Sequence, residues 1–371
     1  MSVIGNTALR FDDEQAMLLD YARSFCADKG LAEARLHLES EQAHDVSLWQ
    51  EIVAMGWTGI GLPESAGGAG LGIGAAVPVL ESMGRVLMGT PLMSSLLAVQ
   101  LLVRADATAA AAILQSIAAG EVATVAQLEA SGWGGSEVTA QLDENGRVQG
   151  HKRMVMDAAQ ARWLVVTLDH EQAALAVIDT QSLAADAIRP RELIDLTHRA
   201  ADVLLEDVEP ALVITGDGVP GALRDYTLLG ALLVAAESTG AAAAALDTII
   251  DYLKTRKQFD KLIGSYQALK HPAVDILNNV DSSRSFIYHA ATLVGDGVLG
   301  RDQEIACRMA KAQATETLKF AGDRAVQFHG GMGFSWECDA QLFIRRAQWA
   351  QQQFGDAQHH RKQLADLLLN S

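Results

Sequence analysis

The first third of the chain carries apolar residues at the spacing of a one-sided helix. Near the N-terminus they recur at i, i+3 and i+4, the period that places them along one helix face: Met17, Leu18, Tyr21, Ala22 and Phe25. The acidic run Asp12 to Glu14 precedes them, where a helix N-terminus favours negative charge. Further helices are predicted over 47–55, 74–87, 93–104 and 107–118. Residues 1–120 are therefore predicted to form an N-terminal helical domain.

From about residue 122 the apolar residues alternate with polar ones, as in half-buried strands. The predicted strands are Val122–Leu128, Glu137–Leu142, Val148–Met156, Trp163–Leu168, Ala174–Ile178 and Ala201–Leu205. Asn145-Gly146 is a favoured hairpin turn between two of them. Residues 121–212 are predicted to be a small β sandwich or barrel.

After Pro220 the helical period returns and continues to the end of the chain. Long helices are predicted over 223–254, 265–296, 301–328 and 338–369. Four long helices in succession are typical of a bundle, assigned here to residues 213–371. The predicted fold is α+β and mainly α, with helices, then a β domain, then a four-helix bundle.

Composition narrows the functional class. The formal net charge of −17 argues against nucleic acid and against an anionic membrane surface as partners. Three scattered cysteines with no CxxC pair indicate a reducing compartment. Residues 1–10 show no secretory pattern, and no run of about 18 uninterrupted apolar residues indicates a membrane span. We expect a cytoplasmic protein.

Two familiar ligand patterns fail on inspection. The glycine-rich run from Gly67 to Gly74 lacks the third glycine of a dinucleotide fingerprint and follows no strand, which favours a tight turn between helices. His359-His360 has no third ligand nearby, so a solvated helix face is favoured over a metal site.

Two segments of the bundle carry more information. Tyr252 to Lys261 ends a long helix in a cationic cluster, which suits either the helix dipole or an anion. Gln327 to Glu337 places Gly330, Gly331 and Gly333 directly after a long helix. Glycines let backbone amides approach a bound group closely, as a diphosphate requires, but they also suit a plain turn. Taken singly, each segment leaves turn and ligand site open.

Taken together, Arg256-x-Gln258-Phe259 and the downstream Gln327-x-x-Gly330-Gly331 resemble the acyl-CoA dehydrogenase family. The resemblance extends over nearly the whole chain. Trp57 with Gly61-Leu62-Pro63-Glu64 resembles the family's helical-domain loop, and Glu81-Ser82-Met83-Gly84-Arg85 resembles the end of one of its helices. The order of helical, β and helical domains is also that of the family.

The resemblance implies FAD as cofactor, extended and shared between two subunits. It assigns cofactor-binding roles to Arg256, Phe259, Gln267, Gln327, Gly330 and Gly331. Arg256 would pair with the diphosphate and Phe259 would pack near the adenosine half, because a guanidinium gives bidentate contacts to anions. Gln327 and the two glycines would meet the diphosphate of the FAD held mainly by a partner subunit. Asp260 stands where the family usually has glycine, and its carboxylate is unfavourable near a diphosphate.

The family reaction needs a glutamate that removes the α proton of the acyl-CoA thioester. Aligning Arg345-Arg346-Ala347 with the family's RDA segment puts Phe354 at the usual position of this glutamate. A minority of members carry the base on the preceding long helix, and that position falls at Gly230. Neither residue is acidic. Glu237, seven residues beyond Gly230 and about 10 Å along the same face, is the candidate base, ahead of Asp225 and Asp356.

The β domain also departs from the family pattern. The flavin-binding loop and the strand beside the flavin ring correspond to Gln127–Gly132 and Met154–Asp157, and neither keeps the family's residues. We expect few flavin contacts from this chain's own β domain.

The C-terminal motifs resemble a subgroup with short chains that acts on steroid side-chain or dicarboxylic CoA thioesters. Members often assemble as heterotetramers of two related chains, of which one supplies the base. The resemblance implies that this chain is the subunit without the base. It also implies a homo- or heterotetramer, and an electron acceptor like electron-transfer flavoprotein. A homomeric dehydrogenase using Glu237, a redox-inactive scaffold or CoA-ligand binder, and a flavin-dependent monooxygenase stay open as alternatives.

Overall fold

A computed structural model describes residues 13–40, 44–129, 138–169 and 173–369. The N-terminal part is helical: α1 (Asp13–Glu39), α2 (Val46–Ala54), α3 (Ala76–Arg85), α4 (Leu92–Asp106) and α5 (Ala111–Ala118). The five predicted helices are confirmed, with ends shifted by up to four residues. Asp45 shows why α2 begins where it does, because its carboxylate accepts the backbone N–H of Leu48 at 3.0 Å as an N-cap.

The β region forms two four-stranded sheets. One contains β1 (Ala123–Ala126), β4 (Trp163–Leu168), β5 (Ala174–Asp179) and β8 (Leu212–Thr215) in that order, with β1 parallel to β4 and the other pairs antiparallel. The other is fully antiparallel, in the order β2 (Gln141–Leu142), β3 (Val148–Met156), β7 (Ala200–Val208) and β6 (Ile188–Arg191). Side chains of both sheets share one apolar core, which makes this region a sandwich rather than a barrel.

The strand predictions are accurate where apolar alternation is strong. β3 and β4 have the predicted bounds, whereas β6 and β8 are not among the predictions. Both of these are four-residue edge strands, and Pro190 in β6 breaks the strand pattern, since proline is tolerated only at an edge. The start of the strand predicted from Glu137 and the end of the loop predicted over Gln127–Gly132 lie outside the described residues.

The C-terminal part contains α6 (Gly218–Thr255), α7 (Gln267–Leu293), α8 (Arg301–His329), α9 (Ala340–Gln352) and α10 (Ala357–Leu369). The prediction of a single fourth helix over 338–369 is wrong. Phe354 and Gly355 adopt φ angles of 53° and 91°, and this left-handed conformation ends α9 and reverses the chain into α10. The turn between α9 and α10 becomes important for the site.

Helix α6 is the central element of the bundle. Its length and apolar composition would suffice to cross a membrane, but every residue of its apolar window is buried inside the protein. It crosses α3 at reciprocal glycines. A β-carbon added at Gly84 would lie 2.1 Å from the carbonyl oxygen of Glu237, and one added at Gly240 would lie 1.9 Å from that of Glu81. Only glycine at these two positions lets the two helices approach so closely. Because Glu237 lies at this crossing, the crossing fixes its position in the core.

Candidate functional site

The C-terminal ends of α6 and α8 lie side by side. The ring of Tyr252 stacks on that of His329, with centroids 4.2 Å apart, and at the opposite end Arg224 of α6 pairs with Glu304 of α8 at 2.5 Å. The two helices therefore run in the same direction. As a consequence, Arg256 and Gly330, 74 positions apart in the sequence, are brought to the same end of the bundle.

At this end, the six residues predicted to bind the cofactor are all exposed. Arg256 ends α6 with its backbone N–H donating to the carbonyl of Tyr252 at 2.9 Å, and its side chain forms no ion pair within the described part of the chain. β-Carbons added at Gly330 and Gly331 would meet no atom within 4 Å, so an incoming group can come close to this backbone. A solvent-facing guanidinium beside an open glycine pair fits a phosphate group.

Large apolar side chains are also exposed on the two segments that follow α6 and α8. Phe259 is 86% exposed, and Met332, Phe334 and Trp336 of the segment after α8 are also exposed. We call these four residues, with Arg256, Gly330 and Gly331, the bundle-end surface. Exposed aromatic and methionine side chains grouped on one surface mark an interaction site more often than a free face.

Phe259 projects from a strained hairpin. β9 (Lys257–Gln258) and β10 (Lys261–Leu262) are joined by Phe259 and Asp260, whose φ angles are 52° and 59°. Two positive φ angles in a two-residue loop define a turn that prefers Asn-Gly or Asp-Gly. Asp tolerates this conformation better than Phe does, but the turn has glycine at neither position.

Asp260→Gly is expected to stabilise the protein by about 0.5–1 kcal/mol, because glycine adopts positive φ without the side-chain penalty. FAD affinity should rise as well, since a carboxylate is removed from the bundle-end surface. Thermal unfolding and flavin titration measure the two effects. Asp260→Asn removes the charge but keeps a side chain at positive φ, so it should reproduce the gain in affinity alone. Equal flavin affinity in both variants and the wild type would contradict the electrostatic part.

A separate cleft lies where the N-terminal helices, the β sandwich and the bundle meet. It encloses about 690 Å³, its open mouth included, and its walls come from the start of α4, from β1 and β3, from α6, and from α9 with the turn after it. Most lining side chains are apolar. Three buried polar atoms of its walls make no hydrogen bond or ion pair within the described residues: Thr90 Oγ1, Gln127 Oε1 and Trp349 Nε1.

Such a concentration of unsatisfied atoms suits a bound molecule, because buried polar groups in folded proteins are nearly always hydrogen-bonded. The indole N–H of Trp349 can only donate and the amide oxygen of Gln127 can only accept. The ligand must therefore offer both acceptors and donors within a largely apolar slot. The polar edge of a flat heteroaromatic ring such as a flavin meets that requirement, so the residues present fit the cofactor that the resemblance implies.

The two positions at which the family places its base meet in this cleft. A β-carbon added at Gly230 would lie 2.4 Å from ring atoms of Phe354, so the phenyl ring packs directly on the glycine. Phe354 also packs edge to face against Tyr226, with ring centroids 5.5 Å apart. The two base positions identified from the sequence are therefore in contact in the structure, and the ring of Phe354 fills the space between them.

Glu237 lies outside the cleft walls. Its carboxylate pairs with Arg346 at 2.6 Å and lies 3.6 Å from His198 Nε2, while Arg346 also binds Asp195. Burial alone would raise the pKa of Glu237, but Arg346 and His198 more than offset it and lower the pKa below its ordinary value. This is the geometry of a structural counter-ion. The role of Glu237 as a base stays a prediction that these contacts do not favour.

The two other candidate carboxylates are also engaged elsewhere. Asp225 is fully buried and pairs with Arg104 at 3.1 Å, and Asp356 accepts the backbone N–H of His359 at 2.7 Å as the N-terminal cap of α10. Neither side chain is among those that line the cleft.

Sequence reasoning did not single out two titratable residues of the cleft, Asp157 and His198. Asp157 accepts hydrogen bonds from Ser94 at 2.5 Å and from Gln160 at 2.7 Å, and burial raises its pKa to about 6. His198 stacks on Trp349 with ring centroids 3.8 Å apart. Asp157 belongs to the segment Met154–Asp157, which departs from the family pattern, and this departure is the one feature of the sequence that could have pointed to it. No sequence motif points to His198.

Comparison with known proteins agrees with this architecture. Residues 12–121 match the family profile "Acyl-CoA dehydrogenase, N-terminal domain", and residues 216–369 match "Acyl-CoA dehydrogenase, C-terminal domain". Acyl-CoA dehydrogenase IpdE2 of Mycolicibacterium smegmatis is 29% identical over 331 residues, covering 89% of this chain and 90% of its own. The Caffeyl-CoA reductase-Etf complex subunit CarC of Acetobacterium woodii is 26% identical over 357 residues, covering 90% of this chain and 93% of its own.

The solved structure of a variant of the Tcur3481-Tcur3483 steroid ACAD superposes with a TM-score of 0.84 at 27% identity. The alignment covers 96% of this chain and 98% of that one. Together the two family profiles account for both helical parts, and the solved structure has the same fold from end to end. The chain belongs to the acyl-CoA dehydrogenase family.

Proposed function

We propose that this chain is a subunit of an FAD-dependent acyl-CoA dehydrogenase that introduces an α,β double bond into an acyl-CoA thioester. It is the subunit that helps to hold the cofactor but does not supply the usual base. The observation that carries this proposal is the contact between Phe354 and Gly230, which fills both family base positions with groups that cannot accept a proton.

The reaction needs a proton acceptor at the α carbon and a hydride acceptor at the β carbon. Bound FAD supplies the hydride acceptor. In this chain the bundle-end surface would contribute Arg256 to the negative charge of the diphosphate, with Gly330 and Gly331 giving close backbone approach. Phe354 and Tyr226 would exclude water from the cleft without taking a proton.

A second polypeptide completes the proposed enzyme. The bundle-end surface exposes Phe259 and Phe334 next to the proposed phosphate site, so a partner that covers them would enclose the cofactor at the same time. The name of the Tcur3481-Tcur3483 enzyme pairs two polypeptides and describes a steroid substrate. We infer the same kind of assembly here, and a bulky ring-bearing acyl group as substrate. The relation to CarC supports an electron-transfer flavoprotein as acceptor.

The test is to purify the chain alone and with its co-expressed paralogue, and to assay oxidation of acyl-CoA thioesters with an artificial electron acceptor. The proposal predicts a yellow complex that turns over and a lone chain that does not. Full turnover by the lone chain would reject it. If that happened, loss of the turnover in Glu237→Gln, without loss of the free energy of unfolding, would identify Glu237 as the base.

A further inference from the structure

Lys311 of α8 is a buried lysine that the proposed function does not use. Its side chain is 0% exposed, and it forms no ion pair within the described residues. Its amine donates to two backbone carbonyls, that of Ala350 at 3.0 Å and that of Gly355 at 2.7 Å. The first carbonyl belongs to the last turn of α9 and the second to the turn before α10.

The turn that Lys311 contacts is the one that carries Phe354. The positive φ of Phe354 is unfavourable for an aromatic residue, so the surrounding contacts must hold it. His360 of α10 contributes one, with Nε2 lying 3.0 Å from the carbonyl oxygen of Phe354. Three backbone carbonyls around the turn are therefore hydrogen-bonded to two buried side chains, Lys311 and His360. These contacts keep the ring of Phe354 over Gly230.

The hydrogen-bond count favours an uncharged amine. A neutral amine has two N–H groups and faces two carbonyl acceptors, whereas an ammonium group buries a third N–H and a full charge. Burial lowers the pKa of Lys311 to about 7, and Asp356 opposes this shift.

The charges around the amine come from three elements. Arg308 is on α8 itself, Asp356 is on the turn, and His359 and His360 are on α10. Burial lowers the pKa of His360 to about 3, so this ring is neutral near pH 7. Asp356 is therefore the charged group whose removal acts on Lys311 most directly.

We propose that Lys311 is a positioning residue: its uncharged amine clamps the turn from Gln353 to Asp356 and so fixes the side chain at position 354 against the cleft. This role goes beyond the proposed function, because the contacts of Lys311 lie within this chain's own bundle and do not depend on which subunit supplies the base. When the turn opens, the lysine regains water and its ordinary pKa. Closing then releases a proton, so the closed turn gains stability as pH rises above about 7.

Hydrogen exchange followed by mass spectrometry on the full chain, at pH 7, 8 and 9 and corrected for intrinsic exchange, tests this proposal. In the wild type, protection of the peptide covering the turn should rise with pH by at most about tenfold per unit, the limit for one released proton. Lys311→Met should reduce that protection by roughly 30-fold at pH 8, as expected for two lost buried hydrogen bonds of about 1 kcal/mol each, and abolish its pH dependence. Lys319→Met, on the exposed face of α8, is the matched control and should match the wild type.

Wild-type protection and pH dependence in Lys311→Met would overturn the proposal. So would a loss of protection spread evenly over α8, α9 and α10, because that outcome describes a general stability residue. If Lys311→Met does not fold, Asp356→Asn decides, since asparagine keeps the cap on α10 but removes the charge that favours the ammonium form. The rise in protection should then begin at a lower pH, and an unshifted profile would contradict the clamp. None of these readouts requires flavin or turnover, so they stand apart from the proposed function.

Discussion

Phe354→Glu is expected to give this chain's cleft the ability to remove an α proton. Glutamate is smaller than phenylalanine, so it fits the space over Gly230 and presents a carboxylate where the family carries its base. A positioned general base typically contributes a factor of about 10² to 10⁴. We expect α-proton exchange of a bound acyl-CoA thioester in deuterated buffer to accelerate by that order, as followed by NMR or mass spectrometry.

Exchange of the α proton needs no hydride acceptor, so this experiment separates the base from the flavin. Phe354→Gln is the control, because it has nearly the shape of glutamate and cannot take up the proton. It should exchange at the wild-type rate. Rapid exchange by the wild type itself would show that another residue already acts as a base in this cleft.

Arg346→Met is expected to cause the largest loss of stability of any single change considered. Arg346 is fully buried and binds two buried carboxylates, Asp195 and Glu237. Removing one side of a buried ion pair leaves uncompensated charge and costs about 3–5 kcal/mol. Chemical denaturation of the purified chain measures the free energy of unfolding.

The neighbouring Arg345 provides the control. Its side chain is only half-buried and bonds to Gln341 at 2.6 Å and to the carbonyl of Ile194, so Arg345→Met should cost much less, about 1 kcal/mol. Adding Glu237→Gln to Arg346→Met should recover part of the loss, because one of the two stranded charges disappears. A double variant no more stable than Arg346→Met would mean that Glu237 is not a counter-ion, and its candidacy as a base would gain weight.

The sequence predicts most of the fold because the period of its apolar residues is clear. β3, β4 and the long helices α6, α7 and α8 follow directly from that period. The break between α9 and α10 does not, because it depends on Phe354 in a conformation that aromatic residues seldom adopt and that Lys311 and His360 hold from elsewhere. Local sequence cannot report the contacts of Lys311, which lies 39 and 44 positions before the two carbonyls that it binds.

The candidate site divides in the same way. The bundle-end surface is visible in the sequence because Arg256 and Gly330 sit in recognisable motifs at the ends of two helices. The replaced base is also visible, since alignment points to both Phe354 and Gly230. The cleft itself is not, because its walls come from three separate parts of the chain and residues such as His198 have no motif of their own. Glu237 was chosen for its helical face, and its partner Arg346 could be found only from the packing of α6 against α9.

The central claim is that Arg256 and the glycines after α8 hold the phosphates of a flavin nucleotide at a contact between two chains. Native mass spectrometry of the co-expressed complex tests it most directly, because it reports flavin and subunit stoichiometry in one spectrum. We predict that FAD appears only in oligomeric species and is lost in Arg256→Gln, while Lys254→Gln, a nearby exposed cation on the same helix, retains it. FAD bound to the monomer of this chain, or full flavin occupancy in Arg256→Gln, would contradict the account.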